Sequence, residues 1–254
     1  MRIDPDKCTG CGNCIYYCPM DAIYIGKPNN KKIAIINDEE CVECGLCLRM
    51  MNVEVKLPIL RREVCPTSAF YQNELTYPRV LRQTFSNPTL IKEATEVAGR
   101  GTEEVKTINV THRVKDDEVG FNIELGRPGI GTRLGEIEKM TAVLAKIGVE
   151  FEPNNPLTSL MKDTKKGLLR DEVKGEKVLS AIIEFKTTLN KVGTILDAIS
   201  KVKVNTVFVI GVYSVCDKNG SPMVEKYIRN NGYEASFNGK INFGLLPEMV
   251  RVVS

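Results

Sequence analysis

Eight of the nine cysteines lie within the first 65 residues, where they are spaced as metal ligands rather than as disulfide partners. The first group is Cys8, Cys11, Cys14, Cys18 and Pro19. Three thiolates at steps of three can surround three corners of an inorganic cube, so the fourth corner must come from elsewhere. Small residues such as Gly10 and Gly12 leave backbone N–H groups free to approach the sulfurs. This spacing predicts an iron-sulfur cluster.

A second group of cysteines repeats the first. The segment "RIDPDKCTGCGNC" aligns with "IINDEECVECGLC" later in the chain, and "CPMDAI" aligns with "CPTSAF". In that alignment Cys65 takes the place of Cys18, although 17 residues separate it from Cys47. We therefore expect Cys65 to remain a ligand. Because the fourth cysteine of such a run binds the other cluster, the pattern predicts two crossed sets. Cluster one is assigned Cys8, Cys11, Cys14 and Cys65, and cluster two is assigned Cys41, Cys44, Cys47 and Cys18.

Residues 1 to about 72 resemble the bacterial-type ferredoxins that hold two [4Fe-4S] clusters. The resemblance implies one-electron transfer at low potential, between clusters close enough to exchange electrons. It also implies an anaerobic setting, or an organism that can maintain oxygen-sensitive clusters. The alternative is a zinc ribbon, since two CxxC pairs also bind zinc. Two CxxCxxC triplets, each with its own Cys-Pro pair, favour iron-sulfur clusters.

Composition narrows the class of protein. A chain of 254 residues with 43% apolar content can form one large domain or two of ordinary size. Its longest apolar stretch, residues 206–216, is about half of the roughly 20 residues that a membrane span needs. With no signal-peptide pattern at the N-terminus, we expect a cytoplasmic protein. The formal charge of +3 counts thiols as neutral, and two oxidised clusters would bring it to about −1. The charge therefore does not favour nucleic-acid binding.

The sequence predicts three regions. A two-cluster ferredoxin-like domain covers residues 1–75 with an insertion at 48–64, a connector with a helix covers 76–105, and an α+β domain covers 106–254. The insertion alternates polar and apolar residues, and Pro58 excludes a central strand, so an edge strand or an extended loop is predicted. It could pack on the second domain or dock a partner. The connector helix is predicted from about Thr89 to Ala98.

The last 150 residues alternate between strand and helix patterns, which predicts the fold class α+β overall. Strands are predicted at residues 107–114, 118–126, 149–153, 177–185 and 206–214, and helices at 133–148 and 194–202. Two β-α-β segments of similar sequence suggest an internal duplication. Such units commonly form an antiparallel sheet with helices on one face.

A glycine-rich loop, "GRPGIGTRLGE" at residues 126–136, leads into the first of these helices. Exposed amides at a helix N-terminus favour an anion, so the loop is a candidate ligand or partner site. Its candidate residues are Arg127, Gly129, Gly131 and Arg133. The loop is neither GxGxxG nor a Walker sequence, and a tight strand-to-helix turn explains its glycines equally well.

Two single residues receive structural interpretations. His112, the only histidine, has no carboxylate or nucleophile in a catalytic pattern with it, so we expect a structural role. Cys216 follows an apolar β-rich run without a CxxC companion, and we expect a buried core thiol.

The chain shows no Ser-His-Asp set, carboxylate pair, flavin fingerprint or nucleotide loop. We therefore expect an electron-transfer protein that serves an oxidoreductase as an iron-sulfur subunit or redox partner, with the α+β domain docking that partner. One alternative is a self-contained reductase that binds a small anionic substrate at the glycine-rich loop. Another is a regulatory protein that senses redox state or an effector. An exposed edge of the second sheet could also pair with another copy of the chain.

Overall fold

Short antiparallel hairpins form the cysteine-rich part of the chain in the computed structural model, which describes residues 1–51, 54–56, 61–91, 113–126 and 129–235. The elements before residue 75 are β1 (Arg2–Ile3), β2 (Ile23–Gly26), β3 (Ile33–Ile36), α1 (Leu46–Arg49), β4 (Glu54–Lys56), β5 (Arg61–Glu63) and β6 (Phe70–Tyr71). Strand β1 pairs with β6, and β2 pairs with β3. These pairings bring the two ends of the region together.

The insertion forms a two-stranded hairpin, so its strand in residues 52–60 is an edge strand, which was one of the two structures predicted. Strands β4 and β5 are antiparallel, with Glu54 opposite Glu63 and Lys56 opposite Arg61. Pro58, on which the prediction of an edge strand rested, lies outside the described residues. Because the hairpin turns the chain back on itself, Cys65 follows directly after its second strand.

The connector contains a helix that precedes the predicted one. Helix α2 spans Val80–Ser86, and residues 88–90 are not helical, so Thr89 itself is not part of a helix. The rest of the predicted segment lies outside the described residues. Helix α2 ends at Asn87, which is extended because a residue before proline disfavours the helical conformation. Pro88 therefore marks the end of an earlier helix.

The C-terminal part is built on a four-stranded antiparallel sheet. The elements of the C-terminal part are β7 (Glu118–Gly126), β8 (Thr132–Arg133), α3 (Leu134–Ile147), β9 (Glu150–Phe151), β10 (Met161–Asp163), β11 (Leu168–Leu169), β12 (Lys177–Val178), β13 (Ser180–Thr188), α4 (Val192–Ser200), β14 (Phe208–Tyr213) and α5 (Val224–Asn230). The strand order is β14-β7-β13-β9. A strand-helix-strand order therefore occurs twice, while the duplication itself stays a prediction. The predicted strand at 107–114 lies largely outside the described residues, and its last two residues are not in a strand.

Packing explains why these segments form the sheet and its helices. On α3 the buried residues recur at helical spacing: Leu134, Ile137, Met140, Thr141 and Leu144. The helix ends at Gly148, whose left-handed backbone (φ 79°) suits glycine. Across β7 and β13, the rings of Phe121 and Phe185 stack 5.0 Å apart at the centre of the core. The C-terminal part thus has its own apolar core.

Helix α2 joins the two parts of the chain. Its Phe85 is 2% exposed and belongs to the core of the C-terminal part. On the other side, Met20 follows the first group of cysteines and packs in a small cluster that includes Leu179. Cys216 is exposed, so the prediction of a buried core thiol is wrong. Its segment leaves the sheet after Tyr213 and turns over the surface. None of the helices in the described ranges is long and apolar enough to cross a membrane.

Candidate iron-sulfur centres

The eight cysteines of the first 65 residues line two separate cavities. Cavity one, about 290 Å³, is lined by Cys8, Cys11, Cys14 and Cys65, together with residues such as Ala34 and Val64. Cavity two, about 380 Å³, is lined by Cys41, Cys44, Cys47 and Cys18, together with residues such as Ile23 and Ile36. The grouping coincides with the crossed sets expected from the sequence. Binding of iron by these thiols stays a prediction.

The loops that carry the first three cysteines of each group share an unusual backbone. Gly10 (φ 67°) and Glu43 (φ 54°) occupy equivalent positions and are both left-handed, as are Gly12 (φ 82°) and Gly45 (φ 71°). A left-handed residue after each of the first two cysteines curls the loop around its cavity. The repeat in sequence is therefore also a repeat in backbone conformation.

The two Cys-Pro segments also match in detail. The residues three positions beyond each cysteine, Asp21 and Ser68, have φ of 51° and 50°. In the first segment the backbone N–H of Ala22 donates to Cys18 Sγ at 3.3 Å. In the second, the N–H of Ala69 donates to Cys65 Sγ at 3.2 Å. Such donors stabilise negative charge on a ligating sulfur, so the turns are built for thiolates.

The hydrogen-bond donors reach cavity one from β3 as well. The backbone N–H of Ala34 donates to Cys8 Sγ at 3.3 Å. Burial raises the pKa of Cys14 to about 12, and it raises the pKa of Cys47 to about 12 in the other cavity. A buried thiolate is therefore unfavourable unless a cation replaces its proton. Four convergent sulfurs in an apolar cavity with N–H donors fit a positively charged metal core.

The arrangement suits a cluster better than a single ion. Within the described ranges, no three side chains of His, Cys, Asp or Glu are grouped to hold one metal ion. Tetrahedral zinc draws four ligands onto one atom, whereas a cube places each thiolate on a different iron. A cluster therefore accounts for the four thiols that line each cavity better than a single zinc ion does.

Comparisons with known proteins agree with this geometry. Residues 1–50 match the family of the 4Fe-4S dicluster domain. Ferredoxin from Methanothermococcus thermolithotrophicus is 30% identical over 76 residues, which cover 98% of that protein and 29% of this chain. The chain belongs to the ferredoxin family. Its ferredoxin domain is of the type that holds two [4Fe-4S] clusters.

A second relative limits how far the similarity extends. Ferredoxin-1 from Rhodobacter capsulatus is 43% identical over 44 residues, or 17% of this chain. The chain spans 62% of the length of that relative. No solved structure matches the chain. The comparisons thus concern the ferredoxin domain, and the C-terminal part has to be understood from its own contacts.

Beside cavity two, Glu43 forms a buried ion pair at the position that Gly10 occupies beside cavity one. Glu43 is 1% exposed. Its carboxylate accepts from Nε and Nη2 of Arg79 at 2.9 Å and 2.6 Å, and it pairs with the N-terminal amine of Met1. Burial by itself raises the pKa of Glu43, but these hydrogen bonds outweigh it and hold that pKa below its ordinary value. The ferredoxin domain therefore keeps a charged carboxylate beside its second group of cysteines.

A buried arginine ties the same loop to the C-terminal part. Arg82, on α2, is 4% exposed. Its Nη1 donates to the carbonyl oxygens of Asp38 (2.8 Å) and Cys41 (2.9 Å), and its Nε donates to the carboxylate of Glu176 at 2.5 Å. Lys177, next along the chain, pairs with Glu40. One side of cavity two is thus bonded to the C-terminal part.

The glycine-rich loop lies in this interface. The backbone N–H of Gly129 donates to the carbonyl oxygen of Pro19. A Cβ on Gly131 would lie 2.6 Å from Cε of Met20, so the two segments are in close contact. Arg133 donates to the carbonyl oxygen of Gly175 at 2.8 Å and reaches Glu39 at 3.3 Å. Arg127 and His112 lie outside the described residues. The described residues of this loop therefore contact the ferredoxin domain of their own chain.

Sequence reasoning missed both Glu43 and Arg82. Glu43 could have been found, because it stands where the first repeat has Gly10, and a carboxylate between two cysteines needs a partner. Arg82 gave no comparable sign, since nothing in its neighbourhood predicts which backbone carbonyls it will contact. Both residues act on the second group of cysteines.

Proposed function

We propose that this chain carries single electrons as an iron-sulfur subunit or redox partner of an oxidoreductase. In this proposal Cys8, Cys11, Cys14 and Cys65 hold cluster one, and Cys41, Cys44, Cys47 and Cys18 hold cluster two. The clusters supply reversible one-electron transfer when bound. The observation that carries the proposal is the division of the eight cysteines between two apolar cavities.

The chain's own residues have three tasks in this function. The left-handed positions after the cysteines wrap each loop around its cavity, as at Gly12 and Gly45. The N–H groups of Ala22, Ala34 and Ala69 donate to the thiolate sulfurs and stabilise their charge. Apolar residues such as those of β2 and β3 exclude water from both cavities. Together these features tune the potential of the bound groups.

The C-terminal part would dock the partner enzyme. In support, it has its own core, and it is fixed to the cavity-two side of the ferredoxin domain by Arg82 and Glu176. A fixed orientation keeps the distance between the partner and cluster two constant. The self-contained reductase has less support, because Gly129 and Arg133 of its candidate anion loop already bond to this chain.

Metal analysis of the wild-type chain and of two single cysteine variants tests the proposal. Anaerobically purified wild-type chain should contain about eight irons and eight sulfides, with an EPR spectrum of two interacting clusters after reduction by dithionite. Cys65→Ser should leave about four irons and the spectrum of an isolated cluster. Cys216→Ser, which changes an exposed cysteine that lines neither cavity, should retain about eight.

Other results would overturn the proposal. Zinc in place of iron in the wild-type chain would show that the cysteines do not form electron-transfer centres. About eight irons in Cys65→Ser would remove Cys65 from the ligand set. About four irons in the wild-type chain would mean that the insertion costs one cluster and would favour a redox sensor.

A further inference from the structure

The turn between β2 and β3 lies beside the loop that surrounds cavity one. A Cβ on Gly10 would overlap the carbonyl oxygen of Lys32, so the backbone of the turn touches the loop. Gly12 faces Ile25, just before the turn, with 4.0 Å from its Cβ position to the Cγ1 atom. The turn and the cavity-one loop therefore share one surface.

This surface is exposed and carries lysines. We define the lysine face as Cys11, Tyr16, Lys27, Lys31 and Lys32, all of which are exposed. The ring of Tyr16 is 79% exposed, which is the highest value among the large apolar side chains of the described residues. An exposed aromatic side chain in the segment that carries an exposed cysteine belongs to the type of surface that protein partners cover.

The charges of the lysine face are not neutralised by any carboxylate within the part of the chain that the structure describes. The turn reads "KPNNKK", with three lysines and no carboxylate. Among the described residues none of these lysines pairs with a carboxylate, although Lys31 Nζ donates to the carbonyl oxygen of Pro5 at 2.5 Å. Nearby Asp4 already lies 3.8 Å from Lys7. A cluster in cavity one would lie behind its thiolates, whereas the ammonium groups stand in solvent and meet a partner first.

On the side of cavity two that faces the C-terminal part, by contrast, the charges are paired within the chain. Its acidic residues Glu39 and Glu40 pair with Arg133 and Lys177 of the C-terminal part. That surface is already used within the chain. The lysine face, in contrast, has charges that no carboxylate of the described residues pairs, so they can meet another molecule.

We propose that the lysine face docks an acidic protein that carries single electrons, an inference that rests on the proposed function. Complementary charge steers such a carrier toward the ammonium groups, and exposed Tyr16 offers an apolar side chain for contact. Docking there would hold the carrier next to exposed Cys11, a proposed ligand of cluster one, and a bound cluster would accept the single electron that the reduced carrier gives up. The same contact in reverse would serve an oxidised carrier.

Small charged oxidants provide a direct kinetic test with the full chain carrying its clusters. One electron passes from the dithionite-reduced protein to cobalt(III), which becomes cobalt(II), and the loss of reduced cluster is followed by stopped flow. We expect the anionic cobalt(III)-EDTA complex to react faster at low ionic strength and to slow as salt screens the lysines. The double variant Lys27→Glu/Lys32→Glu should lower that rate about tenfold and raise the rate with cationic hexaamminecobalt(III).

A matched variant and a binding measurement separate the lysine face from the total charge. Lys201→Glu/Lys203→Glu changes two exposed lysines of the C-terminal part and alters the net charge equally. It should change the cobalt(III)-EDTA rate less than twofold. The redox-inert anion hexacyanochromate(III) should broaden the NMR lines of Lys31 in the wild-type chain, and this broadening should be lost in Lys27→Glu/Lys32→Glu.

Each outcome bears on one proposal. Equal effects of the two double variants, or a faster reaction with the cationic oxidant in the wild-type chain, would overturn the lysine face and leave the proposed function intact. A chain that binds no iron, or cannot be reduced and reoxidised, would overturn the proposed function regardless of charge.

Discussion

The two halves of the ferredoxin domain start from nearly the same sequence and end in different surroundings. In the first half, Gly10 lies under the backbone of Lys32, and exposed Cys11 faces solvent. In the second half, the equivalent position is Glu43, which is buried and paired with Arg79. Local sequence thus sets the loop conformation in both halves. The neighbours decide which half is open to a partner and which is fixed to the rest of the chain.

The loops around the two cavities are also stabilised in different ways. The cavity-one loop depends on close backbone contact, whereas the cavity-two loop depends on buried charges from α2. A close contact fails when an atom is added, and a buried ion pair fails when one partner is removed. Substitutions of these two kinds should therefore affect different cavities.

The largest effect is expected from Gly10→Ala. The added Cβ would overlap the carbonyl oxygen of Lys32, a backbone atom that cannot move aside cheaply, and φ is 67° at this position. We expect cluster one to be lost while cluster two stays, so that iron falls from about eight to about four atoms per chain. Iron analysis with EPR of the reduced protein measures this.

Gly12→Ala is the matched control. Its φ is 82°, but the nearest atom to its added Cβ would be 3.9 Å away. Only the backbone strain of about 1–2 kcal/mol applies, and about eight irons should remain. Retention of about eight irons in Gly10→Ala would show that the turn does not hold the cavity-one loop tightly.

Next in size is Arg82→Met. The change leaves the carboxylate of Glu176 and the carbonyl oxygen of Cys41 without their buried donor. Loss of one partner of a buried pair costs about 3–5 kcal/mol, and cluster two should be released first in urea. The release of cluster two with increasing urea is measured by the loss of iron-sulfur absorbance and of the EPR interaction between the clusters.

Arg2→Met serves as the control for Arg82→Met. Arg2 pairs with Asp38 of the same loop at 2.5 Å, but its side chain is 42% exposed. An exposed pair is worth less than about 1 kcal/mol, so the urea midpoint should hardly change. Equal midpoints for the two variants would contradict the role given to the buried arginine.

A smaller effect is expected from Glu43→Gln. The variant keeps the shape of the side chain but leaves Arg79 with only the half-exposed carboxylate of Asp38, at 3.2 Å, as an ionic partner. Since Arg79 is 26% exposed, water offsets part of the cost, and we expect about 2–3 kcal/mol of destabilisation. The urea midpoint of absorbance loss measures it.

The charge-matched control for Glu43→Gln is Glu39→Gln. Glu39 lies on the same loop and pairs with Arg133 at 3.3 Å, but it is 73% exposed. We expect at most about 0.5 kcal/mol. If both variants shifted the midpoint equally, loss of a negative charge rather than of a buried pair would explain the result.

Much of the cysteine-rich part could be predicted because its information is local. Two local features were enough to predict the two-cluster family and the grouping of the cysteines in the two cavities. These features are the spacing of Cys8, Cys11 and Cys14 and the repeat around Cys41. The strand at Glu118–Gly126 and the helix Leu134–Ile147 were also close to prediction, since burial on one face leaves a clear period in the sequence.

Contacts between distant segments could not be predicted in the same way. The connector helix Val80–Ser86 was missed, because its apolar pattern is short and does not show that Phe85 joins the core of the C-terminal part. Cys216 was expected in the core because it follows an apolar run, but the strand ends at Tyr213 and the thiol is exposed. Neither outcome follows from a local apolar pattern.

By itself the sequence determined the chemistry of this protein, since thiolate ligands at fixed spacing define which group can be held. Only the tertiary structure decided how the two cavities differ. It placed Arg82 and Gly129 against the second group of cysteines and left the lysines of the β2–β3 turn in solvent. The reason is physical: ligand spacing is a property of a few adjacent residues, whereas burial and charge pairing depend on segments far apart in the chain.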